Sequence, residues 1–167
     1  MAGFRKLMAG YFWLERRLIT LLIFLLVVPV SMQILSRYTE LIPRYIWTEE
    51  AARFLFIWII SIGSAIAVRE QTHFNVDVLP KPTTPRGKAL AVLVVDLAIF
   101  SMAVIFVWYG WEFVKFGYTQ TSELTGINLA FIFCAFLLAG LSWAAFIVER
   151  TLDNLPALIG GGDHGSR

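Results

Sequence analysis

The chain has 167 residues, of which 58% are hydrophobic and only 16% charged, with a mean hydropathy of +0.71 and a formal net charge of +2. A soluble domain carries about 25% charged residues and spreads them over its surface. Here the charges are too few and cluster between long apolar runs, which excludes an ordinary water-soluble domain and leaves water as the solvent only at the ends and loops.

Four runs set the architecture, an all-α integral membrane protein of four helices. Residues 1–17 form a charged N-terminal segment. The first predicted helix, 18–36, contains no charge and one proline, Pro29. Neighbouring helices tolerate a mid-membrane proline at the cost of a kink. The run is long, begins well inside the chain and lacks a small-x-small site directly after it, so it is expected to stay rather than be cleaved as a signal peptide. The second helix is placed at 48–69, the third at 89–111, interrupted only by Asp96, and the fourth at 127–149. A helix rising 1.5 Å per residue needs roughly 20 residues to cross the hydrocarbon core. Together 18–150 form the membrane domain. Residues 151–167 form a tail whose Gly-rich end, 160–167, reads as disordered. Pro80, Pro82 and Pro85 make the connection between helices two and three a short rigid loop that is not helical. Gly126 precedes helix four.

Lysine and arginine set the orientation. The N-terminal segment, the loop between helices two and three and the tail hold ten of the fourteen, and the two other loops hold four. The basic excess marks the cytoplasmic side. Both termini are therefore expected in the cytoplasm. Tyr11, Trp13 and Trp143 fall near the inner boundary, and Tyr38, Tyr45, Trp47, Trp108, Tyr109 and Trp111 near the outer one, where aromatic belts form.

Helix two holds most of the information. Only fifteen residues separate Arg53 from Arg69. They span about 23 Å at helical rise, less than the core of about 30 Å. The helix must begin earlier, near Thr48, which draws Glu49, Glu50 and Arg53 into the outer interface. One reading is a helix start, with Thr48 as cap, acids suiting the helix dipole, and Glu49 paired to Arg53. The other is a docking patch, because charges at membrane depth face protein or water rather than lipid. The two are compatible.

The stretch Trp47-Thr48-Glu49-Glu50-Ala51-Ala52-Arg53, followed by Trp58, Gly63, Ala67, Arg69 and His73-Phe74-Asn75-Val76-Asp77, resembles the signature of the small membrane subunit, the DctQ family, of tripartite ATP-independent periplasmic (TRAP) transporters. Chain length, four-helix plan and inside termini resemble that family as well. The resemblance implies an accessory, non-enzymatic subunit in a bacterial inner membrane. It would brace a large multi-helix subunit and help to receive a periplasmic substrate-binding protein. Uptake of an organic acid would be coupled to sodium in the large subunit. No cofactor and no nucleic-acid partner are implied; membrane lipids surround the chain. The substrate is not legible, since specificity in this family belongs to the other components. The competing readings are a membrane anchor of another complex and an oligomeric channel, for which one acid and a few serines are little polar lining.

Several residues are candidates for contact with these partners: Arg37, Arg44, Trp47, Glu49, Glu50 and Arg53 on the outer side, and Arg69, His73 and Asp77 on the inner. His73 and Asp77 as metal ligands would be two, too few for a typical site, and no other Cys or His lies nearby in sequence. Asp96 lies eight residues past Lys88, roughly 12 Å in by helical rise. Intramembrane acids mark relays, ion sites or buried polar contacts. Ser61, Ser64 and Ser142 fall at comparable depth, so the expectation is a polar layer in which these serines donate to Asp96. Gly63 with Ala67 and Gly140 with Ala144 read as close helix packing. The single cysteine, Cys134, excludes an internal disulfide. His73 and His164 lie outside the apolar runs, which disfavours an intramembrane haem.

Overall fold

The structure is a computed structural model and describes residues 2–39, 43, 45–70 and 85–159. Among these it contains four α-helices: α1 (Ala2–Tyr38), α2 (Trp47–Glu70), α3 (Pro85–Tyr118) and α4 (Ala130–Ile159). Each includes a stretch long and apolar enough to cross a membrane. Arg44, His73 and Asp77 lie outside the described residues, as does the Gly-rich end of the tail.

The bounds of α2 agree with the sequence reading to one residue at each end. The other three helices overrun their apolar runs. α1 starts at Ala2 because residues before Leu18 continue a helical stripe: Met8, Tyr11, Phe12 and Glu15 turn inward while Leu7, Trp13 and Leu14 stay exposed. α3 starts on Pro85, which was expected to belong to a non-helical connector. Proline suits the first helical position, where its missing N–H would have had no partner. α4 continues to Ile159, ten residues beyond its expected end.

The helices form a row rather than a closed bundle. α1 packs on α2, α2 on α4 and α4 on α3, and α1 meets α4 only over a short stretch. The edge helices bury narrow seams. On α1 the inward positions run Glu15, Ile19, Leu22, Leu26, Pro29 and Gln33, stepping alternately by four and three. Pro29 thus sits in the seam with α2, where protein rather than lipid faces the gap it leaves in the backbone ladder. On α3 the seam is Ile99, Ala103, Gly110 and Gly117. Small residues seven apart let α4 approach closely along a 3.5-residue repeat. A Cβ on Gly140 would lie 2.9 Å from the Phe106 Cβ and 3.0 Å from backbone atoms of Ala103 and Val107.

All four helices converge only at one end, where Met8, Ala65 and Phe146 form one buried cluster and Val68, Ile99 and Ile147 another, with Trp143 against both. This end, holding the start of α1 and the end of α4, is termed the terminal end. The opposite, hairpin end carries the α3–α4 connection.

Candidate functional site

Charged side chains crowd the terminal end. Asp96 on α3 pairs with Arg150 on α4, Oδ1 to Nη1 at 2.9 Å, with side chains only 12% and 17% exposed. Arg69 on α2 reaches Glu149 on α4 at 3.4 Å and donates to the Met8 carbonyl of α1 at 2.8 Å. Its guanidinium also lies 4.4 Å from the Phe12 ring centre and 5.1 Å from that of Phe146. Arg16 on α1 pairs with Glu70 on α2 at 3.3 Å. These contacts tie every helix to a neighbour at the level where all four meet. Breaking a partly desolvated charge pair by removing one member is costly, because the other charge is left uncompensated.

The expected polar layer does not form around Asp96, whose partner is an arginine. The serines are spent elsewhere. Ser142 donates to the Leu138 carbonyl at 2.8 Å and meets the Tyr11 phenol at 2.6 Å. Ser64 donates to the Ser61 carbonyl and accepts from the Trp143 indole at 3.2 Å. Ser61 is buried beside Trp58 and Ile62 at the edge of a small cavity. Hydroxyls bonded back to the preceding turn are self-sufficient in an apolar setting, so a carboxylate is not needed to satisfy them.

At the hairpin end the connection 119–129 folds back on itself. The Ser122 amide donates to the Ile127 carbonyl at 2.8 Å, and Leu129 donates to Gln120 at 3.0 Å. Gly126 turns the chain with φ 67°, a left-handed conformation that glycine adopts without a Cβ penalty. The Asn128 Oδ1 accepts from the Ala130 amide at 2.8 Å and caps α4, while its Nδ2 donates to the Tyr118 carbonyl at the end of α3. Glu50 on α2 accepts from the Thr125 amide at 2.9 Å. That bond spans 75 positions and latches the loop to the start of α2.

The outer partner-contact candidates therefore divide. Glu50 is half-buried and committed to the loop. Trp47, Glu49 and Arg53 are exposed, with Glu49 and Arg53 paired at 3.3 Å as their spacing predicts and Trp47 beside Tyr45. Arg37 is exposed at the end of α1 and makes no ion pair with this group among the described residues. Thr48 is not the expected cap: it lies within the helix, 3% exposed, and its hydroxyl donates to the Tyr45 carbonyl at 2.7 Å. On the inner side Arg69 is turned inward onto α1 and α4. Among the described residues no three His, Cys, Asp or Glu side chains gather as a metal site.

Sequence reading did not find Glu15, Arg150, Glu149 or Asn128. Glu15 precedes the apolar run and sits beside Arg16 and Arg17, where it reads as part of a solvated boundary. It is in fact 5% exposed, and its Oε2 has no hydrogen-bond partner. The adjacent Glu149-Arg150 pair, at the same depth as Arg69 and Asp96, was the signal that would have supplied both inner partners.

The chain is similar to known proteins. The family described as "Tripartite ATP-independent periplasmic transporters, DctQ component" matches residues 26–157. A putative TRAP transporter small permease protein of Haemophilus influenzae is 24% identical over 108 residues, covering 65% of this chain and 67% of that protein. The sialic acid TRAP transporter permease protein SiaT of Haemophilus influenzae is 30% identical over 122 residues, 72% of this chain but 20% of that one. The isethionate TRAP transporter permease protein DctMQ of Oleidesulfovibrio alaskensis is 24% identical over 135 residues, 78% of this chain and 21% of that one. The chain thus spans about two thirds of the small permease and a fifth of each longer permease. With the matched stretch running from the middle of α1 to the end of α4, the chain belongs to the DctQ family, the small permease component of TRAP transporters.

Proposed function

We propose that the chain is the static brace of its transporter: it holds a large membrane subunit in place and helps to seat a periplasmic binding protein, without catalytic chemistry of its own. The observation that carries this reading is the row of four helices fastened at both ends, by Asp96–Arg150 and Arg69–Glu149 at one and by Glu50–Thr125 at the other. A row offers two broad apolar faces, whereas a closed bundle would offer only its perimeter. Exposed Phe24, Val28, Leu97, Val104 and Trp108 supply such faces. The family supports the partner, and in the two longer permeases the similar region makes up only a fifth of the chain.

In this reading the terminal end faces the cytoplasm of a bacterial inner membrane, as the basic excess favours. The hairpin end, with exposed Trp47, Glu49, Arg53 and Leu124, faces the periplasm and the binding protein. The substrate class is an organic acid, since sialic acid and isethionate, named for the two longer relatives, both carry an acid group. Sodium coupling belongs to the large subunit. The test is reconstitution. Tagged chain should copurify a large multi-helix subunit in mild detergent, and sodium-driven uptake into proteoliposomes should require both. Capture of no such partner refutes the reading.

A further inference from the structure

Glu15 differs from the other acids with described side chains at the terminal end. Glu70, Glu149 and Asp96 each sit against an arginine. Glu15 does not, although it is more deeply buried than any side chain in those pairs. Its nearest polar neighbours satisfy it only in part. The Tyr11 phenol and the Ser142 hydroxyl, 2.6 Å apart, both lie within hydrogen-bond reach of the Glu15 carboxylate, but its Oε2 has no hydrogen-bond partner. Arg69 is held by Glu149 and Met8 and attracts Glu15 only from beyond ion-pair distance.

Glu15 is one of the residues lining a cavity of about 160 Å³ between α1 and α4, with Trp58, Ser61 and Ile62 of α2 as its floor. Leu14, Leu18 and Leu138 form its rim and are 54%, 37% and 43% exposed, so the cavity opens sideways along the row. Its depth follows from its floor: Ser61 lies eight residues before Arg69, about 12 Å along the helix. Glu15 is thus below the charged layer, where a carboxylate without a contacting cation is costly and faces protein in preference to lipid. A lipid ammonium group would lie at the charged layer, about two helical turns too far out, by the same rise.

We propose that this groove receives a membrane helix of the large permease subunit, and that a lysine or arginine on that helix pairs with Glu15. The proposal rests on the bracing role and specifies where it is exerted. Charge complementarity supports it: among the described side chains, Glu70, Glu149 and Asp96 of the charged layer each have an arginine within 3.4 Å, whereas Glu15, beneath that layer, has none at ion-pair distance and borders a cavity. The family match begins at residue 26, so Glu15 lies outside the stretch that defines the family.

The test uses the chain coexpressed with its large subunit. A benzophenone-bearing amino acid placed at Leu14 or Leu138 should form, on illumination, an adduct with the large subunit. The same probe at Trp13, which lines a separate groove with Arg16 and Arg17, should give at least fivefold less. Glu15→Leu and the near-isosteric Glu15→Gln should each reduce the Leu14 adduct at least fivefold. Glu15→Lys should abolish it, with restoration when the basic residue at the adduct site is changed to glutamate. Lipid adducts alone from Leu14 and Leu138, with the two subunits still copurifying, overturn the proposal and leave the bracing role standing. An undiminished adduct with Glu15→Gln overturns the ion pair. Failure of the unsubstituted subunits to copurify refutes the bracing role itself.

Discussion

Asp96 and Arg150 are distant in sequence, yet their atoms meet at 2.9 Å in a layer that excludes most water. Removing one member of such a pair leaves the other charge uncompensated and costs about 3–5 kcal/mol, whereas replacing both with apolar groups is often neutral. Asp96→Leu and Arg150→Leu should therefore each lower the unfolding temperature in detergent, and the double substitution should recover most of the loss. Equal and additive losses would show that the two do not act as a pair. Asp96→Asn tests the separate idea that this acid moves ions: uptake lost with the complex intact would give it a transport role, and uptake retained would leave it structural. The sequence shows an acid in a membrane helix and, by depth, invites the serines as partners. It does not show that Ser64 and Ser142 each bond back to a carbonyl of their own helix. Pairing across helices depends on which faces meet, and a hydropathy profile carries no information on that. Glu15 was illegible for a related reason: its burial depends on a helix that starts sixteen residues before the apolar run.

The elements divide by what terminates them. α2 is legible to within a residue because its two charged ends sit at the two interfaces, so hydropathy and helix coincide. α1, α3 and α4 run past the membrane boundary, and hydropathy marks where lipid ends rather than where hydrogen bonding ends. The α3–α4 connection is held by side chains at single positions, with Asn128 capping one helix and bonding to the end of the other. Asn128→Ala should cost about 1 kcal/mol for the lost cap, read as a lower unfolding temperature. Glu50→Gln should leave the helices in place but weaken the latch, raising hydrogen exchange at the Thr125 amide by roughly tenfold, a factor worth about 1.4 kcal/mol. If that amide exchanged at the unsubstituted rate, the latch would be inert. Glu50→Lys should go further and lower uptake while leaving substrate affinity of the isolated binding protein unchanged. The α3–α4 seam has less tolerance. Gly140→Val places its Cβ against α3 backbone, and overpacking of this kind costs about 1–3 kcal/mol.

At the scale of the whole molecule, the row order α1, α2, α4, α3 makes the distance between its edge helices the most sensitive measure of its shape. Three neighbour contacts of 8–10 Å each put the edges at most about 30 Å apart, a span that pulsed spin-label measurements resolve. Phe24 on α1 and Val104 on α3 are both exposed and accept labels without disturbing a seam. Cys134, the single native cysteine, is first replaced by serine. A brace must keep its shape while its partner moves. The interlocking arginines at one end and the Glu50 latch at the other predict that it does, because shearing any helix along its neighbour would break at least one buried contact. The distance distribution between Phe24→Cys and Val104→Cys should therefore stay the same, in the assembled transporter, before and after sodium, binding protein and substrate are added. A label pair across the large subunit should shift under the same conditions. A change of more than about one helical turn, 5.4 Å, between α1 and α3 would mean that the row flexes with each cycle and that the small subunit is a moving part.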